Sequence, residues 1–222
     1  MKRLAAQDRS ALIKLASGLS PGSPERVAIL AGLTKQSGGD FNIPGVHILD
    51  NAEVGGNAHV KGDAKVYGKA KVYGDAEVWG KAHVKGNAHV FDDAKVFDDA
   101  MLAGDAKVYN SAKVYGNAWV RGDAWVFDDA KVYGDAQVWG DAKVYGNAGV
   151  YGNAMVYGDA KVYGRAKVSG DAKVKGNAKV GGNAKVFGNA DISGTAVILG
   201  GVWDGSEGPI TSGKWKAPGV PA

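Results

Sequence analysis

The side chains of this chain that could carry out chemistry are its histidines and its pairs of adjacent aspartates. A histidine can act as a general base or bind zinc, and neighbouring carboxylates can bind calcium or act in glycoside hydrolysis. The histidines are His47, His59, His83 and His89, and the aspartate pairs are Asp92-Asp93, Asp98-Asp99 and Asp128-Asp129. Three of the histidines precede a valine, where lysine usually stands, and the aspartate pairs replace a recurrent Gly-Asp or Gly-Asn. We therefore interpret both sets as parts of a repeated pattern, and predict no catalytic residue, metal site or cofactor.

The pattern has a period of six residues. Every sixth residue from Ala52 to Ala196 is alanine, the second residue after each is Val, Leu or Ile, and two residues further on stands a Gly, Asp or Asn. Side chains alternate along a strand, so the Ala and the Val of one segment face the same side. Gly, Asp and Asn tolerate the positive φ of a tight corner. Because the register does not slip, the sequence predicts short strands joined by corners, with no loop inserted between them.

This Val-x-Gly-(Asn/Asp)-Ala-x unit resembles the hexapeptide-repeat superfamily over roughly residues 45 to 200. The resemblance implies an all-β fold, a left-handed parallel β-helix with three segments per coil and therefore about eight coils. We expect residues 39–200 to form the β-helix and residues 201–222 to form a C-terminal cap and tail. Residues 1–38 lie outside the repeat, and we predict a short N-terminal helical hairpin there, which either caps the β-helix or docks elsewhere.

Many members of that superfamily are trimeric acyltransferases that use a thioester cofactor and a histidine between subunits, and others resemble zinc-binding γ-class carbonic anhydrases. Acceptor pockets in such enzymes generally need loops that leave the repeat, and this repeat has none. His83 and His89 are one segment apart, so we expect them on neighbouring faces of one coil. A trimeric acyltransferase-like enzyme with a site between subunits and a glycan-binding module that uses aromatic columns stay as alternatives.

Three segments per coil place outward residues that are 18 apart in one column on one of three faces. The first face has an aromatic column from Tyr73 to Tyr163 and the second face has one from Trp79 to Tyr151, each beside lysines. The third face loses its lysines in the middle. The patch that replaces them consists of Met101, Ala103, Trp119, Arg121, Gln137, Trp139, Met155 and Tyr157. Met, Trp, Tyr and Arg are enriched in the cores of protein interfaces, where Lys is depleted, so we predict that a subunit or partner covers this third-face patch.

Composition narrows the function further. The net charge is only +4 and the signs alternate along the chain rather than forming blocks, so we expect no nucleic-acid partner. No apolar run is long enough to span a membrane, and Gln7, Asp8 and Arg9 interrupt anything resembling a signal peptide. Our leading hypothesis is a non-catalytic structural or binding scaffold, a rigid rod that self-assembles, with a trimer favoured, or docks on a larger assembly. We expect it in the cytoplasm or associated with a virion or a surface.

Overall fold

The chain folds as a parallel β-solenoid built from strands of two residues. The structure is a computed structural model that describes residues 41–43, 46–218 and 220–221. It contains strands and no helix in those ranges, which confirms the predicted all-β class. The helical hairpin predicted for residues 1–38 lies outside the described residues. Within the described part, no helix is long and apolar enough to cross a membrane.

The strands follow the six-residue period closely. The first ten are β1 (Phe41–Ile43), β2 (Val46–Ile48), β3 (Glu53–Val54), β4 (His59–Val60), β5 (Lys65–Val66), β6 (Lys71–Val72), β7 (Glu77–Val78), β8 (His83–Val84), β9 (His89–Val90) and β10 (Lys95–Val96). The next ten are β11 (Met101–Leu102), β12 (Lys107–Val108), β13 (Lys113–Val114), β14 (Trp119–Val120), β15 (Trp125–Val126), β16 (Lys131–Val132), β17 (Gln137–Val138), β18 (Lys143–Val144), β19 (Gly149–Val150) and β20 (Met155–Val156). The last ten are β21 (Lys161–Val162), β22 (Lys167–Val168), β23 (Lys173–Val174), β24 (Lys179–Val180), β25 (Lys185–Val186), β26 (Asp191–Ile192), β27 (Val197–Ile198), β28 (Val202–Trp203), β29 (Lys214–Ala217) and β30 (Val220–Pro221).

Every third strand belongs to the same sheet, so three sheets form the three faces. The first face contains β3, β6 and each third strand up to β27, followed by β29 and β30, the second runs from β4 to β28, and the third begins with β1 and β2 and ends with β26. Neighbours within the repeat are parallel and 18 residues apart, as Lys113 and Lys131 are, whereas β1–β2 and β29–β30 are antiparallel. The solenoid has about nine turns and not the predicted eight, because β28 and β29 continue the stack beyond the repeat.

The alanines and valines of the repeat form the core. From Ala58 to Val186 these side chains are at most 1% exposed, and they pack in continuous columns along the interior. The coils are joined by backbone hydrogen bonds at each strand, such as Lys113 N to Ala130 O at 2.9 Å and Tyr115 N to Val132 O at 3.0 Å. Each coil therefore makes the same contacts with the next, and this uniform stack holds every outward residue in its column.

The corners explain the adjacent aspartates. Asp92, Asp98 and Asp128 have φ values of 58–59°, at positions where most corners have glycine. The carboxylate of Asp128 accepts a hydrogen bond from the backbone N–H of Gly146 at 3.0 Å, and that of Asp98 accepts one from Gly116 at 3.2 Å. These bonds to the next coil help to offset the cost of left-handed backbone in a residue that has a Cβ. The corner interpretation of these acids is confirmed.

The C-terminal end of the stack departs from the repeat by one residue. Trp203 pairs with Val186 and takes the inward place that a valine holds elsewhere, and it is only 1% exposed. Its indole N–H donates to the carbonyl of Gly200 at 2.7 Å, and the ring of Trp215 meets it edge-on at 6.4 Å. A large aromatic side chain therefore fills the interior where the regular repeat stops.

Candidate interaction surface

The solenoid brings the predicted residues of the third-face patch into two adjacent columns. Strand register pairs Met101 with Trp119, Trp119 with Gln137, and Gln137 with Met155. The second column, two residues further along each strand, follows the same register. The amide of Ala103, for example, donates to Val120 O, the residue before Arg121. All eight residues therefore lie on four successive coils of one sheet.

Arg121 joins the two columns at the centre of the patch. Its guanidinium carbon lies 5.2 Å from the ring centre of Trp139 and 5.9 Å from that of Trp119. Such cation–π contacts each contribute about 0.5–1 kcal/mol at exposed sites. Trp139 stacks in turn on Tyr157, with ring centres 4.4 Å apart and planes within 2°. The centre of the patch is thus an ordered aromatic and cationic cluster.

The patch is unevenly exposed. Trp119 is 42% exposed, one of few large apolar side chains on the described surface to be so open. Met101, Gln137, Trp139, Met155 and Tyr157 are half-buried by their neighbours in the sheet. Lysine returns at both ends of the first column, as Lys65 and as Lys173. Trp119 and Arg121 are therefore the side chains most available to a partner.

The corners that flank the patch carry negative charge. Asp105, Asp123, Asp141 and Asp159 follow the third-face strands on successive coils, and all four are exposed. In sequence each lies immediately after the corner glycine that ends a third-face segment. The third-face patch, with Arg121 at its centre, therefore lies beside this row of four aspartates, the acidic edge, on the same coils.

The histidines are dispersed. His83 is on the third face and His89 is on the first, in separate sheets, as expected from their spacing. Burial lowers the pKa of both, assisted by Lys65 and Lys85 beside His83 and by Lys71 and Lys107 beside His89. Among the described residues, no group of His, Cys, Asp and Glu side chains could hold a metal ion.

The aromatic columns of the other two faces are continuous stacks. On the first face, rings from Phe91 to Tyr163 follow one another at centroid distances of 4.8–5.4 Å. On the second face, rings from Trp79 to Tyr151 follow at 4.4–4.9 Å. Each ring inside a stack has both faces covered by its neighbours. Along the interior of a stack, a sugar would therefore find only ring edges, and a free ring face is left only at the ends of the stack.

Sequence reasoning missed one feature of the second face. Its aromatic column does not end at Tyr151, because Phe187 lies in the same column two coils further on and Ser169 stands between them. Phe187 is 38% exposed. The interruption could have been found in the sequence by continuing the column past the last consecutive ring.

Comparison with known proteins identifies part of the repeat. The family model described as the YdcK beta solenoid repeat matches residues 148–164. No curated protein matches the chain. The matched segment spans strands β19 to β21, which together make one regular coil of the stack. The chain is therefore a parallel β-solenoid that contains a segment similar to the YdcK beta solenoid repeat.

Proposed function

We propose that this chain is a non-catalytic scaffold, a rigid left-handed β-helical rod of the hexapeptide-repeat type that assembles with copies of itself through the third-face patch. The observation that carries this proposal is the exposed Trp119 beside Arg121, at a place where the neighbouring second-face strands carry Lys113 and Lys131. An apolar, aromatic surface of this kind on a regular rod favours association. The stack of identical hydrogen-bonded coils supports the rigidity that a scaffold needs.

A cyclic trimer is the assembly that we favour. In such a ring each interface joins two different surfaces, so the third-face patch of one rod meets the corner of the next. With the rods parallel to the threefold axis, equal residues lie at equal heights. Arg121 of one copy then comes level with the acidic edge around Asp123 of its neighbour, and the charges are complementary. A rod of this form could serve as a component of a virion or of another large assembly.

Sedimentation velocity of matched variants tests the proposal. We expect the wild-type chain to sediment as a trimer and the Trp119→Lys/Trp139→Lys variant to sediment as a monomer. The control variant is Lys113→Ala/Lys131→Ala, because these two residues hold the same place in second-face segments, away from the patch and from the acidic edge. It should leave the trimer intact. A monomeric wild-type chain, or a double variant that is still trimeric, would refute self-association through this patch.

Charge reversal tests the geometry of the trimer separately. Arg121→Glu should weaken association, because it brings a carboxylate level with the acidic edge of the next copy. Adding Asp123→Arg should restore association by reversing the second charge as well. If the two changes weaken the assembly additively, Arg121 does not face that edge.

A further inference from the structure

The aromatic stack of the second face lacks one ring. Five rings, from Trp79 to Tyr151, lie on five successive coils, and the planes of successive rings are within 6° of each other. The next coil carries Ser169 in this column, and the coil after it carries Phe187. One face of Tyr151 and one side of Phe187 therefore border a gap that a serine side chain is too small to fill.

The gap has the dimensions of a single planar ring. Two steps between strands separate Tyr151 from Phe187 by about 10 Å. A ring midway would lie about 5 Å from each, within the range of stacked aromatic pairs. A cavity of about 370 Å³ occupies this place, and Tyr151, Ser169 and Phe187 contribute to its walls. The geometry is that of the existing stack with its sixth ring removed.

Lysines border the same cavity. Lys167 and Lys185 line it, are paired with each other in the strand register, and are both exposed. Neither forms an ion pair within the described part of the chain. A second cavity of about 550 Å³ shares Tyr151 and Lys167 with the first and adds Lys131. The acidic side chain of Asp129 also lines this second cavity.

The surrounding segment is strongly basic. Residues 161–185 contain seven Lys and Arg and one Asp, whereas the whole chain has a net charge of only +4. The signs do not alternate in these coils, although alternation along the chain led us to expect no nucleic-acid partner. The field around the gap attracts anions, and the gap itself is shaped for a flat ring.

We propose that the gap between Tyr151 and Phe187 binds a planar aromatic ring that carries an anionic group, the chemistry of a nucleotide. The base takes the place of the missing ring and stacks on both walls. The phosphate lies at the strand edge of the gap, where Lys167 and Lys185 supply point charges. Base–aromatic stacking combined with a basic surface is the usual means of binding nucleotides and single strands without strong sequence preference. The ligand can be a free nucleotide or one unit of a single-stranded nucleic acid.

Isothermal titration calorimetry with three small probes tests the ligand chemistry on the full chain. Adenosine 5′-monophosphate has both ring and charge, adenosine has the ring alone, and ribose 5-phosphate has the charge alone. We expect the monophosphate to bind one site per chain, and each partial probe to bind about tenfold more weakly or worse. No binding of the monophosphate at millimolar concentration, or equal binding of ribose 5-phosphate, would overturn the proposal.

A single-stranded hexa-adenylate distinguishes the two sources of the ligand. Tighter binding of this strand than of the monophosphate, with a steep dependence on salt, would identify a nucleic-acid strand, because several phosphates then contact the basic coils. Equal affinity per site would identify a free nucleotide. Both results require the same stacking gap.

Matched variants test the place of binding. Ser169→Tyr supplies the missing ring, so it should abolish binding of the monophosphate while raising the melting temperature. Ser193→Tyr makes the same change at the same position of a third-face segment, and should leave binding unchanged. Phe187→Ala removes one wall without filling the gap and should weaken binding of adenosine as well as of the monophosphate. Lys167→Gln/Lys185→Gln should weaken the monophosphate only. If the Ser169→Tyr variant still binds as the wild type does, the ligand does not occupy the gap.

Discussion

Replacement of glycine by alanine should lower the stability of the chain at Gly134 and raise it at Gly149. Gly134 lies at a corner with φ +70°, and a Cβ added there would lie 3.0 Å from the backbone nitrogen of Gly152. Gly149 lies in strand β19, where φ is not positive and the nearest atom to an added Cβ is a ring carbon of Tyr151 at 3.9 Å. Alanine therefore meets backbone strain and a fixed neighbour at the first position, and ordinary contact at the second.

The two effects can be estimated from these contacts. Left-handed backbone in a residue with a Cβ costs about 1–2 kcal/mol, and close contact with packed backbone adds about 1–3 kcal/mol. We expect Gly134→Ala to lower the free energy of unfolding by about 2–5 kcal/mol. Gly149→Ala should raise it by about 0.5–1 kcal/mol, because alanine loses less chain entropy than glycine on folding.

Urea unfolding followed by far-ultraviolet circular dichroism measures both variants against the wild type. Gly134→Asn serves as an intermediate case, since Asn110 already occupies such a corner with φ 55°. It should destabilise less than Gly134→Ala does. Equal urea midpoints for the two alanine variants would show that the corner conformation does not limit stability, and the reasoning about the repeat would be wrong.

Three further predictions concern the end of the stack and its titrating groups. Trp203→Ala should lower the free energy of unfolding by about 3–5 kcal/mol, because the buried indole fills the interior of the last coil; a melting temperature within experimental error of the wild type would contradict this. Burial and a hydrogen bond to a carboxylate raise the pKa of Tyr73 to about 12. The contribution of Tyr73 to stability is therefore present below pH 10 and lost as the pH rises toward 12. Ultraviolet titration of the folded chain should show a tyrosine that ionises near pH 12, and Tyr73→Phe should remove that step. Burial lowers the pKa of His83 and His89, so protonation of these histidines destabilises the chain as the pH falls below their ordinary pKa of about 6.5. A His83→Gln/His89→Gln variant should therefore lose less stability than the wild type between pH 7.5 and 5.5. An equal loss would contradict the prediction.

Much of the fold could be predicted because one repeat specifies it. Alternating Ala and Val identify the buried side of each strand, and Gly, Asp and Asn identify each corner. The columns of outward residues followed once the resemblance supplied three segments per coil, since that number aligns residues that are 18 apart. The position of Trp203 could not be predicted in detail, because the register shifts by one residue only after the repeat ends.

The candidate surfaces depended more on tertiary contacts. Sequence alone grouped Trp119, Arg121 and Trp139 on one face, but only the folded structure shows that Arg121 lies against both indoles while Trp119 stays exposed. Column membership states which residues are neighbours and does not state which of them cover each other. The gap at Ser169 illustrates the same limit, because an absent ring matters only once its neighbours are known to stack face to face.

The sequence by itself determined the period, the buried columns and the corners, because each of these depends on local side-chain alternation and backbone preference. Three segments per coil were implied by the resemblance to the hexapeptide-repeat superfamily, and the structure shows three sheets. The tertiary structure decided how outward side chains share the surface, where carboxylates satisfy the corner amides of the next coil, and how the stack ends at Trp203. Those features depend on contacts between side chains of different coils, and a six-residue pattern does not specify such contacts.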